Sequence, residues 1–349
     1  MTVIRVIIIF LTLTLSLRAD VAVHEGVLDG APYKVAIPEE WSGGSVFFIV
    51  NGWRPAEAPH IADLDIEDPL VKRLLQNGWA VARTAFKENG VDPVAHTVAL
   101  RDLRDWIGSE LGVVENVVLE GESTAGTLVL RIAEKNPELA DGVIAMSAYI
   151  NLEDPESDDF LKADPKIPAI LMSNITEIEA PVAYVTSALD APVRPTLRPV
   201  LRPGHVNLNW VERWEALKAL KTWFSSETAP PIEDGTRSVP QRQTGTRMEN
   251  DSLINKVTSV NPFYGNALLG FHPDELKASG IEQGKTFDLK VNGKSWSIYY
   301  GESYSDVPLG EWIAFPNADD QILLARNHKS AVETAGLFVG SEVMIIRQE

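Results

Sequence analysis

Apolar and polar positions along the first two thirds of the chain follow two alternating rhythms. Short, nearly continuous apolar runs lie at residues 45–50 (SVFFIV), 79–86 (WAVARTAF), 116–120 (NVVLE), 141–146 (DGVIAM), 169–172 and 182–186. Runs of this length, rich in Val, Ile and Phe, predict buried strands. The first of them ends at Asn51-Gly52, a turn signal. Between the runs, residues 70–76, 97–111, 124–134 and 209–224 space their apolar side chains for helices. Val98, Leu100, Leu103, Trp106, Ile107 and Leu111 make one such stripe, and Trp210, Trp214, Leu217, Leu220 and Phe224 another. Continuous apolar strands alternating with helices imply a mostly parallel sheet covered on both faces, an α/β architecture.

The rhythm breaks twice. Residues 227–252 are rich in Pro, Gln, Thr, Arg and Glu and poor in apolar residues, the composition of a linker between a domain at 20–226 and another at 253–349. The second domain is strand-like at 287–291, 295–300, 312–315, 321–325 and 342–346, with turns such as Asn292-Gly293. It reads as a small β-barrel or sandwich. At the other end, Arg5 precedes an apolar stretch at 6–17 and the small Ala19. This is the layout of a signal peptide over residues 1–19, too short to span a bilayer comfortably. It predicts export to the periplasm or the medium, with no membrane span in the mature chain.

Composition narrows the chemistry. The 349 residues are 45% hydrophobic and 23% charged, which excludes a disordered chain, and there is no cysteine. Thiolate nucleophiles, disulfides and Cys-ligated zinc are therefore excluded. The net charge of −18 leaves no basic footprint for nucleic acid.

The strongest local motif is Gly121-Glu122-Ser123-Thr124-Ala125-Gly126, which follows a strand and opens a helix. A serine on so sharp a turn projects its hydroxyl from the sheet edge, and small neighbours let strand and helix approach. A serine needs a base to take its proton. His205, in Pro203-Gly204-His205-Val206-Asn207 before the last helix, is the candidate among six histidines. The base in turn needs an acid to orient it. Asp190, after the run at 182–186, gives the order Ser, Asp, His; Glu177 and Glu179, after the preceding strand, are its rivals. The N–H groups of Thr124, at the helix start, and of Trp53, after Asn51-Gly52, are the candidate oxyanion donors. This chemistry calls for no metal and no cofactor. The acidic segment 151–166, with six Asp or Glu and two Lys, is the one candidate lid.

With these residues in hand, the region from about Val23 to Ser226 resembles the α/β-hydrolase superfamily. The resemblance rests on the Gly-x-Ser elbow, the Asn51-Gly52-Trp53 turn, Asp190 and Gly204-His205. Asn51 stands where that superfamily usually has His, and Ala125 where it usually has Gly. The resemblance implies an α/β-hydrolase fold and a serine esterase acting on small-molecule esters. The last hundred residues resemble a different family. Asn261-Pro262-Phe263-Tyr264-Gly265-Asn266, Tyr304 to Glu311, Ala325-Arg326-Asn327 and Gly336 to Gly340 are similar to the C-terminal domain of S-adenosylmethionine hydroxide adenosyltransferases. That resemblance implies a β-barrel in which Phe263, Asn266 and Arg326 lie near an adenosine group. It carries an alternative function, binding or hydrolysis of an adenosine-related ligand, and an expectation of homo-oligomers through the barrel.

Overall fold

The computed structural model describes residues 21–348, so the signal-peptide pattern at 1–19 lies outside the described residues. The first part of the chain runs β1 (Val21–Leu28), β2 (Ala31–Pro38), β3 (Gly43–Val50), α1 (Pro69–Gln76), β4 (Ala80–Thr84), α2 (Pro93–Glu110), β5 (Val113–Glu122), α3 (Thr124–Lys135), β6 (Gly142–Met146), β7 (Ala169–Asn174), α4 (Glu179–Ser187), β8 (Thr196–Val200) and α5 (Trp210–Ser226). The strands form one sheet in the order β1-β2-β4-β3-β5-β6-β7-β8. Pairings from β4 through β8 are parallel, whereas β1 and β2 add antiparallel. Helices α2, α3 and α4 pack on one face around Leu100, Leu103, Val129 and Tyr184. Helices α1 and α5 cover the other around Leu70, Leu74, Leu217 and Leu220. This is the α/β-hydrolase arrangement that the sequence predicts.

Local signals explain where the helices begin. Asp68 and Asp92 each accept two backbone N–H bonds at the starts of α1 and α2, and proline follows each. Such caps satisfy N–H groups that have no intrahelical acceptor. At α5, Asn209 and Glu212 bond reciprocally in a capping box.

The structure departs from one of the predicted strands. Residues 182–186 are not a strand but part of α4; Pro181, Tyr184 and Val185 are its buried positions, at i, i+3 and i+4. The strand at this place is β8, whose Arg198 and Pro199 hide it from a hydrophobic scan. Proline is tolerated because β8 is the edge of the sheet. Arg198 is buried because Glu233 reaches it at 2.7 Å from the following segment.

The second part contains β9 (Arg247–Glu249), β10 (Ser252–Val260), β11 (Ala267–Leu269), α6 (Pro273–Ala278), β12 (Lys285–Val291), β13 (Lys294–Tyr300), β14 (Trp312–Pro316), β15 (Ile322–Arg326), α7 (Ala331–Ala335) and β16 (Glu342–Arg347). The order β11-β15-β14-β13-β12-β16-β10 closes on itself through the β10–β11 pairing, and β9 adds to the outside of β10. The result is a seven-stranded barrel filled by Phe271, Phe287, Leu289, Ile298, Leu324 and Ile345. Closure removes the exposed strand edges.

Residues 227–246 hold no helix or strand, yet they are strapped to the sheet domain. The Leu201 N–H donates to Thr236 Oγ1 at 2.8 Å, and the Arg237 N–H to Glu212 Oε1 at 3.0 Å. Asn209 Nδ2 donates to the Arg237 carbonyl at 2.7 Å. The segment contributes the Thr236 hydroxyl and the Arg237 backbone to these bonds.

Candidate active site

The carboxyl ends of β3, β5, β7 and β8 converge on one rim of the sheet, where α/β proteins gather their functional groups. Ser123 stands at the turn from β5 into α3 with φ 56° and ψ −122°. A non-glycine residue there is strained and must be held by its surroundings. Its N–H donates to the Met146 carbonyl at 2.9 Å. The flanking glycines have a steric cause. A Cβ on Gly121 would lie 2.2 Å from the Ala125 carbonyl oxygen, and one on Gly126 would lie 2.9 Å from Ala148 Cβ.

His205 is brought to this serine by the loop after β8. Its Nε2 lies 3.0 Å from Ser123 Oγ, and its Nδ1 lies 2.7 Å from Glu177 Oε1. The acid against His205 is thus Glu177, not Asp190. Asp190 lies exposed in the turn beyond α4, because the chain at 182–186 coils into a helix and leaves the rim. Glu177 directly follows β7, so it stays at the rim; Glu179 opens α4 and is exposed. Gly204, at φ 120°, and Val206, at φ 54°, shape the sharp loop around the histidine.

Residues that the sequence reading missed hold this loop. Asn174 is fully buried; its Nδ2 donates to the carbonyls of Arg202 at 3.0 Å and Asn207 at 2.9 Å, and its Oδ1 accepts the Asn207 N–H at 2.9 Å. Ser147 Oγ accepts the Val206 N–H at 3.0 Å. The Tyr149 ring lies 5.6 Å from the His205 ring. An asparagine at a strand end and a serine just past one carry no periodic signal, so only proximity identifies them. Two other histidines stand outside the Ser123–His205 contact. His96 stacks on Phe86 at 3.8 Å, and His60 bonds the Phe86 carbonyl at 3.0 Å.

The turn after β3 lies against the serine. A Cβ on Gly52 would lie 3.0 Å from the Glu122 carbonyl oxygen and 3.6 Å from Ser123 Cβ, so only glycine allows this approach without displacement. Asn51 anchors the turn from a buried position: its Nδ2 donates to the Thr84 carbonyl at 2.7 Å. Its Oδ1 accepts from Arg54 Nη2 at 2.8 Å and from Arg83. Thr124 occupies the first turn of α3, where a backbone N–H has no intrahelical acceptor. Beside it opens a cavity of about 200 Å³ lined by Asn51, His96, Thr124, Leu128, Arg131 and Tyr149. The acidic segment 151–166 borders this cavity through Asp158 and Asp159. It is tied down at its base, where Glu134 accepts the N–H groups of Lys162 at 3.0 Å and Asp164 at 3.3 Å.

The barrel residues singled out for a ligand are engaged within the chain. Arg326 donates to the Gly310 carbonyl and to Thr334 Oγ1, and Asn266 donates to the Tyr304 hydroxyl at 2.8 Å. The Phe263 ring is covered by the Arg54 guanidinium at 3.6 Å.

Comparison with known proteins bears on the two parts separately. Residues 257–344 match the SAM hydroxide adenosyltransferase C-terminal domain. No curated relative matches the chain. Among solved structures, the chain is similar to an uncharacterized conserved protein from Thermotoga maritima, with 21% identity over 32% of this chain and 41% of that one and a TM-score of 0.28. It is similar to an esterase from Rhizomucor miehei, with 11% identity over 60% of this chain and 86% of that one and a TM-score of 0.46. It is also similar to Est1E from Butyrivibrio proteoclasticus, with 14% identity over 59% of this chain and 98% of that one and a TM-score of 0.40. Among the described residues no helix is long and apolar enough to cross a membrane.

Proposed function

We propose that this chain is an exported serine hydrolase that cleaves carboxylic esters of small molecules. The observation that carries the reading is the continuous relay from Ser123 Oγ through the His205 ring to Glu177, at 3.0 and 2.7 Å. Both bonds lie within the reach that proton transfer requires. His205 Nε2 takes the Ser123 proton as Oγ attacks the ester carbonyl carbon. The carbonyl π-electrons move to oxygen, and the Thr124 and Trp53 N–H groups stabilise that oxyanion. Glu177 holds the Nδ1–H tautomer and stabilises the imidazolium. Collapse expels the alcohol, which takes the proton from His205. Water, activated by His205, then attacks the acyl-enzyme and releases the acid with Ser123 restored.

The cavity of about 200 Å³ beside Thr124 offers room for a small acyl or alcohol group. The leader pattern at 1–19 supports export. The test is a fluorophosphonate probe and short p-nitrophenyl esters applied to the mature chain beside Ser123→Ala. Labelling and turnover in the parent, both lost in the variant, are the expected result. Equal signals in the two proteins, or none in either, overturn the reading.

A further inference from the structure

The turn that carries Trp53 is held from two sides. One is its own domain: Arg54 is buried, and its guanidinium bonds the Ile61 carbonyl at 2.9 Å, Asn51 Oδ1 at 2.8 Å and Asp63. The other is the barrel. The Tyr264 hydroxyl donates to the Trp53 carbonyl, and the Phe263 ring lies flat under the Arg54 guanidinium at 3.6 Å. Phe263 and Tyr264 belong to the same short loop, between β10 and β11. That loop is itself pinned, with Asn261 Oδ1 accepting the N–H groups of Phe263 at 2.9 Å and Tyr264 at 3.0 Å. Two neighbouring barrel side chains thus grip two successive residues of the turn that lies against Ser123.

The contacts differ in kind. Arginine over an aromatic face, removed from water, gains cation–π attraction and fixes the plane of the guanidinium. The Tyr264 bond acts directly on the peptide chain. A hydroxyl on the Trp53 carbonyl limits rotation of that residue's backbone, and the candidate oxyanion donor is the same residue's N–H. Burial and the nearby Glu122 charge raise the Tyr264 phenol above its ordinary value. It therefore remains a donor throughout the range in which a histidine base works.

Resting on the hydrolase reading above, we propose that the barrel is a working part of the active site. Phe263 and Tyr264 are positioning residues that hold the Asn51–Arg54 turn with the Trp53 N–H aimed at the oxyanion. Phe263, which family resemblance places near an adenosine group, is covered here by Arg54. The barrel therefore serves the neighbouring domain in place of a soluble ligand.

Removing an oxyanion donor outright costs 10²–10³ in kcat, and a misplaced one costs less. The test uses the full mature chain with Tyr264→Phe, Phe263→Leu and Phe263→Tyr. Fluorophosphonate labelling rate, kcat and KM on a short p-nitrophenyl ester, and Tm are measured on each. Tyr264→Phe and Phe263→Leu are expected to lower kcat and the labelling rate about tenfold. KM and the pH midpoint of the histidine limb should stay within about twofold and a few tenths of a unit. Phe263→Tyr keeps the ring and is expected to restore the parent rate. Parent values of kcat in both Tyr264→Phe and Phe263→Leu, with Ser123 labelled normally, overturn the proposal and leave the hydrolase reading standing. A rise in Tm on adding adenosine, with a fall in kcat as Arg54 is displaced, also overturns it. A parent chain that is never labelled overturns both.

Discussion

At Ser123 the backbone is held at φ 56° while Oγ meets the imidazole, and Gly121 and Gly126 let the strand and helix on either side of it approach without collision. The same rim distinguishes two acids that are equivalent in chemistry. Glu177 touches His205 Nδ1, and Asp190 lies beyond a helix. Glu177→Gln keeps the shape but favours the wrong tautomer of the histidine. It is expected to lower kcat by about 10³–10⁴ on a p-nitrophenyl ester, whereas Asp190→Asn leaves kcat within about twofold. Steady-state kinetics on the two variants side by side check this. Asn174 shows the limit of reading a site from motifs. Asn174-Ile175-Thr176 matches a glycosylation sequon, but the side chain is buried and spends its amide on the His205 loop.

Elements are joined at the rim and in the core by charges placed on purpose. Glu120 in β5 has no exposed side-chain surface, and Arg213 of α5 bonds both its carboxylate oxygens. A buried carboxylate survives only when so paired, and deleting one partner strands the other. Glu120→Ala is therefore expected to cost about 3–5 kcal/mol, read as a lowered urea midpoint at unchanged slope. Helix α2 carries a second buried titratable group. His96 stacks on Phe86, and burial pushes its pKa down to about 4, with Asp92 acting weakly in the other direction. The folded chain thus resists protonation that the unfolded chain accepts below about 6.5. The contribution is fully present above pH 6.5 and is lost progressively as the pH falls through the folded value near 4. The loss amounts to about 3 kcal/mol. Unfolding free energies measured from pH 7 to 4 are expected to fall less steeply in His96→Phe than in the parent.

On the scale of the whole molecule, two cores are made to work on one site. The strap at 227–246 binds Glu212 and Arg198 of the sheet domain and then hands the chain to the barrel, where Arg242 Nη2 donates to the Phe271 carbonyl at 3.0 Å. Barrel and sheet domain meet again where the Trp210 N–H at the start of α5 donates to Asp319 at 3.2 Å. Glu212 is fully buried with Arg202 and the Arg237 N–H around it. Glu212→Ala is expected to loosen the strap at Arg237. Limited proteolysis within residues 227–246 should be faster by at least tenfold, with cleavage followed by mass spectrometry. The barrel match at 257–344 says what fold this part has, and the contacts at Trp53 and Arg54 say what it touches.

The linear chain by itself determined the alternation of apolar strands and helices, the serine elbow and the strand-rich character of the far end. These are local or periodic properties: a strand, a helix stripe or a Gly-x-Ser turn is specified by neighbours a few residues apart. Strands β1 and β2 carry no continuous apolar run: β1, at the sheet's edge, is only half-buried, and β2 frames its buried Val35, Ala36 and Ile37 with Lys34 and Pro38, while Asp29 and Gly30 at positive φ make the turn between them. Strand β8 was missed because a charge and a proline occupy it, and both are tolerated only through Glu233 and the open edge. Losing β8 also shifted the expected acid from Glu177 to Asp190, since both carboxylates follow an apolar run. Only the tertiary structure decided between them, because contact between residues 28 positions apart depends on where two loops end, not on their composition. The grip of Tyr264 on Trp53 spans 211 positions between the sheet and the barrel, and no local pattern encodes such a meeting.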